Sequence, residues 1–447
     1  MTVPWRVRRR RNPAAFAVLL LTALGGGVAA GADGAVDGSA AAAPAVKFAL
    51  QEQSEVWANL RGGGRRGASY NGLTTASLEV DLDRALGWRK ARLFASGFDI
   101  QGHGPTRSLL GNNQIVSNIE AAPSLKLYNL WLEQDLFGVL HLRAGQEGAN
   151  DEMMTSGFAA LFLNSSFGFP GLPAADLPSG GPNYPLATPF ASARWQASGK
   201  LTLVGAIYNG DPAPPGSGDP QIRGRNGTAF RVNGAALGFA ELRYAPDPAA
   251  PDTLSTVYKF GAWYHSGRFD DRRFDAAGGM LADPSGSGTA RVHRGDFAVY
   301  GIVDQVVWRQ SDAGAAGIGL FLRVQGAPGD RNLANLSVEA GATWNGPFRD
   351  RPDDAAGLSF AYLGISPAAR RFGRDLVAFG RAAAPFADNE TIIEATYRAQ
   401  ITGWLSLQPD AQLVLNPNGR MPGPFGVKPL ANSLTIGLRA TVSLGAP

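Results

Sequence analysis

Along most of this chain, apolar and polar residues alternate one by one in short runs. The clearest run closes the sequence. In NSLTIGLRATVSL, Leu434, Ile436, Leu438, Ala440, Val442 and Leu444 hold one set of alternate positions. Ser433, Thr435, Gly437, Arg439, Thr441 and Ser443 hold the other. Successive side chains of a β-strand point to opposite faces, so a period of two predicts a strand with one oily and one polar face. SLEVDLD sets Leu78, Val80 and Leu82 against Glu79, Asp81 and Asp83, and LHLRAG sets Leu140 and Leu142 against His141 and Arg143. VYKFGAWYHS and GIGLFLRVQG repeat the pattern, and IIEATYRAQI places Glu394 and Arg398 opposite Ile393 and Tyr397. LTLVGAIYNG, FAVYGIVDQVVWR and LSVEAGATW read as strands whose phase is open.

Between the runs lie clusters of Gly, Pro, Asp and Asn, such as NGDPAPPGSGDPQIRGRNG and NGPFRDRPDDAAG, which predict turns and long polar loops. Long amphipathic helices are missing; DEMMTSGFAALFLN is the one short helical candidate. The expectation is an all-β chain with residues 46–447 as one domain and no repeat of propeller type.

Which face meets water is decided by composition and by the N-terminus. Charged residues make up 17 % of the chain, below the usual ~25 %. After the N-terminal segment no run of ~20 apolar residues occurs, which excludes a spanning helix but not a barrel, where only every second residue must be apolar. The start, MTVPWRVRRRRNPAAFAVLLLTALGGGVAAGADG, has the basic, then apolar, then small-residue order of a secretory signal peptide. Residues 1–43 are therefore expected to be signal and low-complexity sequence, cleaved between about Ala30 and Ala43. Aromatics gather near strand ends at Trp88, Trp131, Trp195, Trp263, Tyr264, Trp308, Trp344 and Trp404, as in the girdles of membrane barrels. Export, alternation and girdles together predict a transmembrane antiparallel β-barrel, its oily face in outer-membrane lipid and its polar face around a lumen. Closure pairs every backbone group without leaving an edge. A secreted β-protein with its leucines inward is the alternative.

Several chemistries drop out. The chain has no cysteine, which excludes disulfides, thiolate metal sites and Cys nucleophiles. The net charge of +4 owes much to the N-terminal RVRRRR, and no nucleic-acid-binding module is present, so no nucleic-acid partner is expected. GGGRRG holds Gly62, Gly64 and Gly67 at dinucleotide-fingerprint spacing, but β-type sequence follows where that motif needs a helix. His103, His141, His265 and His293 are scattered without metal spacing. No Ser-His-acid set is nominated, and Ser165 and Ser166 read as loop residues.

Longer stretches carry a resemblance. RGASYNGLTTASLEVDLDRALGW (66–88), GNNQIVSNIEAAPSLKLYNLWLEQDLFGVLHLRAGQ (111–146), FLNSSFGFPGLPAADLPSGGPNYPLATP (162–189), GAIYNGDP (205–212) and ETIIEATYRAQITGWLSLQPDAQLVLNPNG (390–419) resemble, in order and spacing, the carbohydrate-selective porins of the OprB type. The resemblance implies a sixteen-stranded outer-membrane barrel of a Gram-negative bacterium, with short periplasmic turns and longer external loops. It implies passive diffusion of glucose and related small carbohydrates, with no catalysis, no cofactor and no metal. Two departures stand out. The chain ends Val442-Ser443-Leu444-Gly445-Ala446-Pro447 rather than on an aromatic residue, and it has Gly87-Trp88-Arg89-Lys90 where the family has a GW-x-GG turn.

A passive sugar pore needs a polar wall that solutes touch. Arg, Asp and Glu hydrogen-bond hydroxyls strongly, and an aromatic face can support a sugar ring. The inward phase nominates Glu79, Asp81, Asp83, Arg143, Glu394, Arg398 and Arg439 as pore-lining and substrate-binding residues. The resemblance adds Asn118 and Glu120 from SNIEA, and Asp151 and Glu152 are candidates for an inward-folded loop. The blander account of each is a wetted wall residue or a structural ion pair. The competing functions are a β-barrel or secreted enzyme acting on lipid or polysaccharide, and a general non-selective porin.

Overall fold

The structure is a computed structural model that describes residues 44–445 apart from 248–253, 311–315, 383–388, 422–423 and 427. The expected signal peptide lies outside the described residues. Sixteen strands run in chain order: β1 (Val46–Gly63), β2 (Gly67–Asp81), β3 (Ala91–Gly102), β4 (Ser124–Leu136), β5 (Leu140–Glu147), β6 (Thr188–Gln196), β7 (Leu201–Asn209) and β8 (Ala236–Tyr244). They continue as β9 (Val257–Asp275), β10 (Ala290–Arg309), β11 (Gly317–Gly326), β12 (Ala334–Asn345), β13 (Ala355–Ile365), β14 (Asn389–Thr402), β15 (Leu405–Leu415) and β16 (Ala431–Leu444). Each strand pairs with its chain neighbour, and β1 pairs antiparallel with β16 from Leu50↔Leu444 to Gly63↔Ala431, which closes the barrel. No sheet edge remains to expose unpaired backbone.

Both ends of the described chain share one rim with tight connections such as 137–139, 197–200 and 403–404. The opposite rim carries the long connections 103–123, 148–187, 210–235 and 416–430. The alternation of the sequence is realised as inside and outside. On β11, Leu320, Leu322 and Val324 point out and are exposed, while Phe321, Arg323 and Gln325 point in and are buried. On β16, Ile436 and Leu438 face out, and Thr435 and Arg439 face in.

The strands of open phase have a physical explanation. On β7, Leu203 and Ile207 face out, and Val204, Ala206 and Tyr208 face in and are buried. Both faces are apolar because the barrel is not simply hollow. The connections 103–123 and 148–187 fold into it, and their Leu109, Leu110, Val116, Phe162 and Phe167 form a core with the inward wall residues Trp57, Phe321, Ile392 and Val414. The inner wall is thus oily under the loops and polar elsewhere.

The aromatics divide accordingly. Trp88, Trp195, Trp308, Trp344 and Trp404 are exposed and ring the short-turn rim, while Tyr70, Tyr264 and Phe297 face out nearer the other rim. Trp131 and Trp263 depart from the girdle expectation. Strand phase turns both inward, where they are buried.

Candidate functional site

The inward loops are hung from carboxylates on the barrel wall. Glu394 on β14 accepts the backbone N–H groups of Leu163 at 2.5 Å and Asn164 at 3.0 Å. Glu390 accepts those of Asn113 at 2.8 Å and Gln114 at 2.7 Å. Asp304 on β10 accepts from Ser156 Oγ at 2.5 Å and Gly157 N at 2.8 Å, and Glu241 on β8 from Met154 N at 3.1 Å. Arg323 on β11 donates to the carbonyls of Met154 and Ser166 and pairs with Glu339 at 3.1 Å. A buried N–H left without an acceptor costs about 1–3 kcal/mol, so these clamps fix the loops inside the barrel.

Opposite the clamps, β2 to β8 carry alternating charge. Arg92 on β3 bridges Glu79 on β2 at 3.3 Å and Glu133 on β4 at 2.8 Å. Arg143 on β5 holds Glu133 at 2.9 Å and Glu147 at 3.2 Å, with Glu152 of the inward loop at 3.8 Å. Arg194 on β6 reaches Glu152 at 3.4 Å, and Arg243 on β8 holds Glu241 at 2.6 Å. Beside them Trp131 stacks with Phe94 at 5.0 Å between ring centres, and the guanidinium groups of Arg143 and Arg92 lie over it at 4.2 Å and 5.5 Å from its ring centre. The side chains of Arg92 and Arg194 stay 40 % and 33 % exposed, against 14 % for Arg143, so the first two keep donors free for a solute. On the short-turn side of the loops a cavity of about 940 Å³ is lined by Thr155, Lys259, Asp304, Asp354, Arg398 and Gln400.

The sequence-nominated residues fall into separate groups. Glu79 and Arg143 belong to the charge ladder, and Glu79 also meets Lys47 at 3.4 Å. Arg398 lines the lower cavity. Arg439 is buried, pairs with Glu55 and donates to Asn118 Oδ1 at 2.5 Å, so Arg439 and Asn118 tie a loop to the wall. Glu394 is a loop clamp sealed from water rather than a free wall group. Glu120 lies within the loop and accepts the N–H groups of Thr106 at 3.0 Å and Arg107 at 3.1 Å; burial pushes its carboxyl up to about 7. Asp81 and Asp83 sit at the short-turn rim, Asp81 at the end of β2 and Asp83 in the turn that follows. The strand ends at Asp81, whose carboxylate caps the helical turn Leu82–Leu86 by accepting Asp83 N and Arg84 N, and Asp83 accepts Lys90 N. Alternation stops where that turn begins.

Arg92, Glu133, Arg194 and Arg243 were not among the nominated residues. NLWLEQDL carried a signal for Glu133, two positions from Trp131, and Arg92 was hidden one residue inside its strand. Glu152, expected only as an inward-loop candidate, joins the ladder. Among the described residues no group of three or more His, Asp or Glu is arranged to hold a metal ion.

Comparison with known proteins places this architecture. A family model described as "Carbohydrate-selective porin, OprB family" matches residues 65–444. Porin B of Pseudomonas aeruginosa is 23 % identical over 417 residues, covering 88 % of this chain and 86 % of that protein. The high-pH structure of Pseudomonas putida OprB superposes with a TM-score of 0.79 at 19 % identity, covering 90 % of this chain and 94 % of that one. Its low-pH structure gives a TM-score of 0.51 at 14 % identity, covering 90 % and 93 %.

Proposed function

The chain belongs to the OprB family of carbohydrate-selective porins, outer-membrane channels of Gram-negative bacteria, and from that premise we propose that the solutes are monosaccharides of the glucose type handled by the β2–β8 charge ladder. The observation that carries the reading is the pair of half-exposed guanidinium forks, Arg92 held by Glu79 and Glu133 and Arg194 held by Glu133 and Glu152, both left with free donors. A sugar presents hydroxyls that both donate and accept. The forks donate to its oxygens while the carboxylates accept from its O–H groups, so a neutral polyol replaces its hydration on both counts. A solute of net charge meets both signs within one ladder and loses part of that gain.

Trp131 serves the arginines rather than the sugar ring, because Phe94 stacks with it and the guanidinium groups of Arg143 and Arg92 lie over it. Binding stays weak, as a channel requires, since the carboxylates that accept from the solute's hydroxyls are already engaged in ion pairs. The short-turn rim would face the periplasm and the long loops the exterior, following the habit of such barrels. Residues 1–43 would be the leader removed on export. Transport runs down the solute gradient with no catalytic group. The test is liposome swelling with glucose, a disaccharide, and amino acids of similar size, comparing the parent with Arg92→Ala and Arg194→Ala. Faster swelling with glucose than with size-matched amino acids, reduced by both substitutions, supports the reading; equal rates for all solutes refute it.

A further inference from the structure

On β9 and β10 the lipid-facing wall ends, at the long-loop rim, in an aromatic line. Tyr264 and Phe297 are register partners and both are exposed, with Phe260 and Val299 continuing the oily wall beneath them. Past that line the strands run on, and a bulge interrupts their pairing. Ser266 and Gly267 of β9 stand against Gly295 alone on β10, whose φ of 76° is the left-handed conformation that such a bulge needs. A Cβ at Gly295 would lie 2.5 Å from the Tyr264 hydroxyl, so glycine is required there. The bulge changes the phase of β10. Asp296 below it is buried and inward, yet Arg294, only two residues away, is exposed and pairs with the exposed Arg268. His265 and Phe269 are buried on the inner face, so Ser266 and Arg268 share the outer face with Tyr264.

Two arginines therefore stand directly opposite each other on the outer surface, just beyond the aromatic line. Like charges in that position repel and give the fold nothing. Among the described residues neither guanidinium meets a carboxylate at ion-pair distance or donates a hydrogen bond. The nearby acids are turned elsewhere. Asp271 and Asp330 face His293, Asp330 also holds Arg331, and the exposed Asp270 lies opposite Val292. Ser266 Oγ accepts the N–H of Ala236 at 2.9 Å, which leaves its own O–H to donate. Arg268 is four residues beyond Tyr264, roughly 10 Å further out for a strand rising ~3.3 Å per residue at a tilt of ~40°. An arginine stem that snorkels back toward the apolar wall brings its head to the level of the lipid headgroups.

We propose that Arg268, Arg294 and Ser266 form a binding site for the phosphate of an anionic lipid in the outer leaflet, its tails lying along Tyr264, Phe297, Phe260 and Val299. Residues directly opposite on an antiparallel pair have Cβ atoms ~5 Å apart, close enough for both forks to grip one phosphate group. Each fork gives paired N–H donors to phosphate oxygens, and the serine hydroxyl adds a third donor. The bound anion also relieves the repulsion between the two cations. A solute entering the pore is not the occupant, because the outer face turns these groups away from the lumen. The oily wall directly beneath them suits a ligand that carries tails, and a free phosphate would leave that wall unused. The assignment to the outer leaflet rests on the long-loop rim being external, the orientation proposed for this barrel, and is independent of which solute the lumen conducts.

The test is native mass spectrometry of the mature chain in mild detergent, with phosphatidic acid and phosphatidylcholine of identical tails as competing probes. The parent should retain phosphatidic acid over phosphatidylcholine by roughly tenfold or more, as two cations at a lipid surface warrant. Arg268→Gln combined with Arg294→Gln should bring the two lipids close to parity. Arg268→Lys with Arg294→Lys should keep part of the preference, since an ammonium keeps the charge but loses the fork. Arg66→Gln, at an exposed arginine of the β1–β2 tip, should leave it unchanged. Inorganic phosphate in large excess should not displace the lipid, because the tails contribute to its hold. Equal retention of both lipids by the parent, an undiminished preference in the double glutamine variant, an equal loss with Arg66→Gln, or displacement by inorganic phosphate overturns the proposal. None of these readings involves solute transport, so they stand apart from the outcome of the glucose experiments.

Discussion

Arg143 lies over the indole of Trp131, its guanidinium carbon 4.2 Å from the ring centre, while its Nη2 holds Glu133 at 2.9 Å. That one side chain also faces Glu147 and Glu152, so it carries the balance of three carboxylates and is itself mostly buried. Alternation alone casts Arg143 as a solute-contacting residue whose loss alters selectivity more than folding. The packing makes it the keystone of the ladder instead.

Arg143→Ala is therefore expected to cost stability first. Removing one partner of a buried ion pair strands the other charges and typically costs about 3–5 kcal/mol. Thermal unfolding in detergent should show the loss, with Arg143→Lys recovering only part of it, because an ammonium cannot form the fork. Unfolding unchanged from the parent would show that the ladder does not depend on this residue.

Arg92→Ala and Arg194→Ala should behave in the opposite way. Both side chains are more exposed, so folding yield should hold, while glucose swelling slows and ion preference moves toward cations as each positive charge is lost. Reversal potentials under a salt gradient read that shift; an unmoved potential with parental swelling would place these forks off the solute path.

Glu394→Leu removes both acceptors that hold Leu163 and Asn164. Leaving these two buried N–H groups without an acceptor costs about 1–3 kcal/mol each, enough to loosen the 163–164 stretch while the clamps on Met154, Ser156 and Gly157 still hold the loop elsewhere. Single-channel recordings should show larger, noisier conductance and weaker discrimination between mono- and disaccharides. Parental conductance would mean that this clamp does not set the aperture.

Glu120 gives a pH dependence with a definite sign. Burial raises its carboxyl from 4.5 to about 7, so the folded loop binds a proton that the unfolded chain has released across that window. Its contribution to stability is therefore full below 4.5 and is lost as pH rises toward 7. Amide exchange at Thr106 and Arg107, corrected for intrinsic rates, should be slower at pH 5 than at pH 8. Glu120→Gln should remove the difference, and a parental pH profile in that variant would contradict this assignment.

The barrel itself was legible wherever one face meets lipid and the other water. Ile318 to Val324 and Leu434 to Leu444 alternate cleanly for that reason. Val204, Ala206 and Tyr208 blur the pattern because a loop packs on the inner face there. The site was legible only in part. Alternation tells that Glu394 points inward but not that amides 231 residues away in sequence occupy it. Asp81 and Asp83 obeyed the pattern up to a strand end that the pattern does not mark. Glu152 gains its place from the loop's path across the lumen, which no local spacing encodes.

The central claim, a sugar-conducting lumen walled by the β2–β8 ladder, is tested most directly by single-channel current in a planar bilayer as glucose is added. The account predicts stepwise conductance that falls in a saturable way with glucose concentration, and a weaker fall when Arg92 and Arg194 are both replaced by alanine. Steady conductance indifferent to glucose in the parent would contradict it.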